Sequence, residues 1–468
     1  MVVFFCTLDI VIVLLPPQHQ IVKTMLRQKL LPLLFLLLSA SCSDLNDDLN
    51  INPNDFTSAP GYKLLQHSEL GIVNISSGEI SRYVGLWTGH FKNSRGCCAF
   101  PGVNPDNLGP YYFDSFWIDI FLGGCQSSSL AINSAVENDH RLQMGVAKIM
   151  HAIYLGEAAA LWGDIPCRET FDILSYPNPM YDPQKQVFED VQILLTEAIK
   201  TLDNAHVATV YGTPVFVPNE ASWVEVAHSL KARYYLIAKD YEKALIESTM
   251  GISSPAGNLL SSHRDERGAK NLYYQFFVDE RPGVIKASNS HLVKLMNGEI
   301  ARELETPGDS YRFNYYFQEV YDYYDQLDFN TSEDGVFAAN ASFPIVSWTE
   351  TQLIEAEASL RTGTGDASIP FNEVRDWLNI KYGNGFPPSS SSGEQLLKQI
   401  LEEKYISLFG SLQTFHDLRR TKNLLQIPFL GDENKAHPER FLYPQIEMNT
   451  NSNFPGLIDI YEPTPVNK

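Results

Sequence analysis

A mainly α-helical fold is predicted, a tetratricopeptide-like repeat scaffold with irregular, loop-rich insertions and few short strands. Three observations carry it. Apolar residues recur at steps of three and four through several long segments. Helix start and stop signals bracket those segments. One pair of segments also sets small and aromatic residues at the offsets of a tetratricopeptide repeat.

The first segment is "GVAKIMHAIYLGEAAALWGDIP" (145–166). Met150, Ile153, Tyr154, Ala158 and Leu161 share one helical face, and Gly163 and Pro166 stop the helix. Next, Asp182-Pro183 reads as a cap followed by the proline favoured at the first helical position. Val187, Val191, Leu194, Leu195, Ala198 and Leu202 then make a stripe packed against a neighbour. In residues 222–248, Ser222 and Glu225 form a capping-box pattern. Ala232, Tyr235, Tyr241 and Ala244 supply the repeat offsets: small residues let two antiparallel helices approach, and the tyrosines fill the space between them. Such pairs stack because one pair cannot bury its own apolar face. A helix of similar character over 349–363 ends at Gly363. "YGTPVFVP" (211–218) is the best strand candidate, and "PPSSSSGE" (387–394) reads as a flexible loop.

The amino-terminal region is of another kind. The apolar run at 30–38 is too short to span a bilayer, which takes roughly 20 residues. It suits the core of an export signal, about 7–15 residues. Met25, Arg27 and Lys29 supply the basic start of that signal, and Ser39, Ala40 and Ser41 lead into Cys42. The order resembles a bacterial lipoprotein signal, cut before a cysteine that carries acyl chains. The alternative is a buried or disulfide-bonded Cys42 after an ordinary signal. Residues 1–24, interrupted by Asp9 and closed by Pro16-Pro17, are read as an untranslated upstream segment. The alternative there is a genuine extension with a second hydrophobic stretch. Expected boundaries are thus 1–24 upstream, 25–41 signal, 42–60 polar tether and 61–468 folded domain. The tether, "SDLNDDLNINPNDFTSAP" from Ser43, is too polar to fold alone.

The chain carries a formal net charge of −21. Losing residues 1–41 makes it more negative, since they hold Lys23, Arg27 and Lys29 against Asp9 alone. So acidic a surface disfavours nucleic acid and anionic membrane faces. Cys97, Cys98, Cys125 and Cys167 form no C-x-x-C, so zinc or thioredoxin-type chemistry has no support and their pairing stays open. No metalloprotease, nucleophile-elbow, P-loop or dinucleotide motif occurs, and no histidine pair has metal-ligand spacing. Glu402-Glu403 reads as a solvated helix face. Glu355 and Glu357, two apart on a helix, point in different directions. No catalytic residue, metal or cofactor is expected.

Five segments, in order, are similar to signatures of the SusD/RagB family of Bacteroidetes outer-membrane lipoproteins: "AALWGDIP" (159–166), "YDPQKQVFEDVQILLTEAIKTL" (181–202), "WVEVAHSLKARYYL" (223–236), "EKYISLFGSLQTFHDLRRTKNL" (403–424) and "RFLYPQIEMN" (440–449). His228 stands where the family usually has Asn. The resemblance covers nearly all of the chain after the signal and implies one SusD-like helical domain over 61–468. It further implies a lipid on Cys42, a cell-surface place on the outer membrane, and a SusC-like, TonB-dependent transporter as partner. An oligosaccharide, or a peptide, would be the ligand. A tetratricopeptide-type envelope scaffold that binds only proteins is the alternative, and a surface glycoside hydrolase a third reading. Arg419-Arg420 offers an anion clamp, but the family keeps that motif whatever the ligand, which favours a structural salt bridge.

Ligand contact is expected from loop aromatics. Tyr111 and Tyr112 come first, because they follow the Gly/Pro/Asn-rich loop "PGVNPDNLGP" and loops on the surface concentrate binding residues. Trp87 stands behind them, and Tyr273 and Tyr274 in "YYQFF" are next in line. Phe116, Trp117 and the aromatic stretch 309–326 are read as core.

Overall fold

Connections between the helices differ widely in length, from the single residue Gly78 between Gly61–Ser77 and Glu79–Trp87 to residues 163–183 between Arg141–Trp162 and Gln184–Leu202. The computed structural model describes residues 59–94, 104–172, 174–203, 205–207, 215–217, 222–320, 327–430 and 435–468. Residues 1–24, the signal with Met25, Cys42, the tether through residue 58, Cys97 and Cys98 lie outside the described residues. Residues 59–468 form one compact unit.

Helices α1 (Gly61–Ser77) and α2 (Glu79–Trp87) open the fold, followed by α3 (Gln126–Glu137), α4 (Arg141–Trp162) and α5 (Gln184–Leu202). All five apolar residues expected on one face of α4 are buried, and so is most of the rest of that helix. Tyr154 shows how closely its neighbours come. A Cβ on Gly71 or Gly124 would lie 2.3 or 2.1 Å from Tyr154 atoms, so only glycine lets α1 and the π-helical segment Asp119–Cys125 meet this ring. Gly163 ends α4 at φ +93°.

Helix α5 begins one residue later than its sequence signal. Pro183 occupies the cap position, and the Asp182 carboxylate accepts from Cys167 N (3.1 Å) and Arg168 N (2.9 Å). Asp164 takes its place, accepting from Gln184 N at 2.8 Å. Pairing of Ile165–Pro166 with Tyr181–Asp182 brings that carboxylate from the preceding turn, which local sequence could not reveal.

The repeat reading holds. Helices α6 (Trp223–Ile237) and α7 (Tyr241–Ser248) pair, and Ser222 and Glu225 make the full capping box. Ala232 and Ala244 are fully buried between the helices with Leu236, and Tyr235 and Tyr241 flank them. After α8 (Asp309–Tyr316), helix α9 (Trp348–Thr362) adds Ile354 and Ala358 to that cluster and ends at Gly363 in the left-handed conformation. The pairs α9–α10 (Ser368–Tyr382) and α11 (Gly393–Ser407) with α12 (Gln413–Arg420) continue the stack.

Strands among the described residues are short antiparallel pairs, such as Phe317–Glu319 with Leu327–Phe329. Of the expected strand at 211–218 only 215–217 are described, and Phe216 forms an isolated bridge with Ser261. The serine-rich stretch after Pro387 is irregular but pinned. Asn372 bonds both the N–H and the carbonyl of Ser389, whose Oγ lies 2.5 Å from Gln399 Oε1.

The reading of Glu402-Glu403 as a solvated face is wrong. Both are buried on α11. Glu403 meets Arg312 at 2.6 Å and Arg375 at 2.7 Å, and Glu402 meets Arg302 Nε at 2.6 Å. The three arginines come from other parts of the chain, so nothing near residue 403 announces them. Burial alone would raise the Glu403 carboxyl, but Arg312, Arg375 and Arg302 outweigh it and hold it down at about 2. Glu357, by contrast, diverges from Glu355 as expected and is fully buried against Arg420.

Candidate functional site

Two short helical turns carry the tyrosine pair. Asn104 caps the first, Pro105–Asn107, by accepting from Asp106 N. Asp106 then accepts from Tyr461 Oη at 2.6 Å and pairs with Lys435, which ties the turn to the carboxyl-terminal segment. Pro110 opens the second turn, Pro110–Phe113, with its fixed φ. Phe113 anchors that turn, fully buried with its ring 5.2 Å from Phe441. Asp114 accepts from Ile446 N at 3.0 Å, bringing the short helix Gln445–Thr450 alongside.

Tyr111 is left 58% exposed. Its ring lies against Tyr112, centroids 4.1 Å apart and planes inclined by 33°. Gly109 sits under it: a Cβ there would be 3.2 Å from two Tyr111 ring carbons. The ring rests on Tyr112 and Gly109 and leaves its other part open. The hydrogen bond with Tyr112 raises the Tyr111 phenol above its ordinary value. Burial raises the Tyr83 phenol, and the nearby Glu79, Tyr112 and Tyr111 add to the effect. Burial and the Asp119 carboxylate both push the Glu79 carboxyl up, while Arg82 and Arg281 draw it down. Asp119 itself accepts from Asn74 Nδ2 at 2.9 Å. Tyr83 thus lies near Tyr111, Tyr112 and the Glu79 carboxylate. Sequence reading found the tyrosines but not the neighbouring Glu79, which acts on Tyr83 together with them.

The other aromatic candidates divide. Trp87 is fully buried, its ring 5.4 Å from Phe441 and 5.5 Å from Phe415. Helical spacing puts it one turn beyond Tyr83 on the inner face of α2, so it is core and no ligand platform. Tyr273 is also fully buried, donating its hydroxyl to Gly410 O at 2.6 Å and packing on Phe337. Tyr274 is half-buried under the Lys270 ammonium, 4.8 Å from the ring centroid. Phe116 and Trp117 are core, as expected. The 309–326 stretch is mixed: Arg312 and Tyr316 are buried, Tyr311 is exposed, and 321–326 lie outside the described residues.

Arg419 and Arg420 are structural. Arg420 Nη1 meets Glu357 at 2.6 Å, and Arg419 donates to Ala160 O at 2.9 Å and Glu439 O at 3.0 Å. Cys125 and Cys167 are free thiols. Among the described residues no group of His, Cys, Asp or Glu is placed to hold a metal ion, and no helix is long and apolar enough to cross a membrane.

The helical-repeat body thus presents the exposed aromatic ring of Tyr111, packed on Tyr112. The family model SusD-like, described as "Starch-binding associating with outer membrane", matches residues 105–444, and the chain belongs to that family. Solved structures share the fold. A SusD homolog from Bacteroides uniformis superposes with TM-score 0.66 at 17% identity, covering 88% of this chain and 99% of that one. A SusD/RagB family protein from Bacteroides thetaiotaomicron gives 0.62 at 17% identity, with coverage of 88% and 99%. A laminarin-binding SusD-like protein gives 0.64 at 16% identity, with coverage of 84% and 97%. A search of curated protein sequences found no match.

Proposed function

We propose that this protein is a surface-exposed nutrient-binding lipoprotein that captures an oligosaccharide and hands it to a SusC-like, TonB-dependent transporter in the outer membrane. Membership of a family described as starch-binding supports the ligand class. The observation that carries it to a place on this molecule is the exposed Tyr111 ring packed on Tyr112. Sugar rings would stack on the exposed part of Tyr111. Binding and release are the whole mechanism, with no bond made or broken.

The test is titration of wild type and a Tyr111→Ala/Tyr112→Ala variant with laminarin and malto-oligosaccharides, alongside melting curves. Each lost stacking ring should weaken binding by about 0.5–1.5 kcal/mol, roughly 2- to 12-fold, in a variant that melts with wild type. Equal affinity would move the site away from Tyr111.

Cys42 is the proposed lipid attachment point, on the sequence pattern of residues 25–42. Each buried acyl CH₂ contributes about 0.8 kcal/mol, so several chains hold a protein on a membrane without a spanning helix. Cys42→Ala should abolish fatty-acid labelling and release the protein from the outer-membrane fraction. Persistent labelling of that variant would refute the assignment.

A further inference from the structure

Asparagine followed by glycine occurs twice in the sequence, at Asn297-Gly298 and at Asn384-Gly385. The fold treats the two pairs differently. Asn297 is tied at both ends of its amide: Oδ1 accepts from Glu299 N at 3.0 Å, and Nδ2 donates to Glu299 Oε1 at 2.7 Å. Asn384 is exposed in the turn that follows α10. Among the described residues, neither its side-chain amide nor the Gly385 N–H has a hydrogen-bond partner.

Packing explains why glycine follows Asn384. Gly385 has φ +119°, a conformation that residues with a side chain rarely adopt. A Cβ on it would also lie 2.5 Å from Gly308 N, whose N–H donates to Gly385 O at 2.8 Å. The nitrogen beside the Asn384 amide is therefore left without a side chain to shield it. Phe386, next in the chain, is fully buried, with its ring 5.3 Å from the Arg312 guanidinium and 5.4 Å from that of Arg375. Asn379 holds Phe386 by bonding both its N–H and its carbonyl at 2.9 Å. The turn thus closes over two of the arginines that meet Glu403.

We propose that Asn384 is a site of spontaneous deamidation and isoaspartate formation. Asparagine is among the thermally labile residues. The Gly385 nitrogen attacks Asn384 Cγ, the Cγ–Nδ2 bond breaks, and ammonia leaves with the proton of the Gly385 N–H. The product is a cyclic imide, which water opens at either carbonyl. Opening at Cγ gives aspartate. Opening at the backbone carbonyl of residue 384 leaves the chain running through Cβ and Cγ, as isoaspartate. Either way water replaces the amide nitrogen by oxygen, and a negative charge appears. Isoaspartate also lengthens the backbone by one methylene, beside a glycine whose close fit to Gly308 has no slack. At Asn297 the same attack must first break the amide's bonds to Glu299.

The test ages the full chain in warm, mildly alkaline buffer and maps its peptides by mass spectrometry. Methyl transfer by a protein-isoaspartyl methyltransferase is the probe for isoaspartate. A gain of one dalton should accumulate in the peptide holding Asn384 at least about tenfold faster than in the one holding Asn297. In urea the two rates should converge, because unfolding removes the bonds to Glu299. Asn384→Ser, at an exposed position, should melt with wild type and lose most of the methyl labelling. Aged wild type should melt below Asn384→Asp, which has the new charge without the extra methylene. Equal rates at the two sites in the folded chain, or undiminished labelling of Asn384→Ser, would overturn the proposal. So would an isoaspartate-rich chain that melts with Asn384→Asp.

Discussion

Replacing Glu403 by Gln is expected to destabilise the fold by about 3–5 kcal/mol, the cost of breaking a buried ion pair from one side. Gln keeps the shape and removes the charge. Arg312 and Arg375 are buried and bond Glu403 at 2.6 and 2.7 Å, and Arg302 lies 3.7 Å away. Without that carboxylate the arginines face one another in a dry interior with only Glu402 and Asp309 nearby to balance them. Urea unfolding of Glu403→Gln measures the loss directly. Glu394→Gln is the control on the same helix: Glu394 is exposed, pairs with Lys398 at 3.4 Å, and should change stability by less than about 1 kcal/mol. Acid gives a second readout. The folded-state value of Glu403, about 2, lies below its ordinary 4.5. Its stabilisation is therefore present in full above pH 4.5 and is lost as pH falls toward about 2. Glu357, also held at about 2 against its own burial by Arg420, acts in the same window. Wild type should lose stability steeply there, and Glu403→Gln should lose less of it. Equal unfolding midpoints for Glu403→Gln and Glu394→Gln would refute the central role of Glu403.

That network marks where sequence reading stopped. Local signals were legible: the capping box at Ser222, the alanines between α6 and α7, the glycine that ends α4. Each depends on residues a few positions apart. Glu403 reads as a surface residue because its partners at 302, 312 and 375 are separated from it by loops and two helices. Asp182 failed as a cap for the same reason, since the carboxylate that serves α5 comes from Asp164 across a two-stranded pair. The Tyr111 surface was half legible. Its loop composition pointed outward, but the packing of Tyr111 on Tyr112 and Gly109 could not be read from composition. The aromatic candidates parted by burial, which composition does not encode. Trp87 and Tyr273 are as aromatic as Tyr111 and sit at 0% exposure.

Trp87→Ala is accordingly expected to act on the fold. Removing a fully buried tryptophan costs about 3–5 kcal/mol, from lost transfer energy and from the cavity left behind. The neighbours of Trp87 leave little room for collapse. Phe441 and Tyr83 meet the ring edge-on at 5.4 and 6.1 Å, and Phe415 lies at 5.5 Å. Phe441 and Phe415 belong to carboxyl-terminal segments, so the ring joins α2 to the end of the chain more than three hundred residues later. Its backbone carbonyl adds to that joint by accepting from His437 at 2.8 Å. Against a total stability of about 5–15 kcal/mol, the loss is a large fraction. Unfolding midpoint and glycan affinity, measured on one preparation, separate the two roles a tryptophan can play here. A core residue lowers the midpoint and leaves the affinity of the still-folded fraction near wild type. A ligand platform does the reverse, as Tyr111→Ala should. If Trp87→Ala melts with wild type and binds glycan more weakly, the ring must reach the ligand and its burial in the core is not its function.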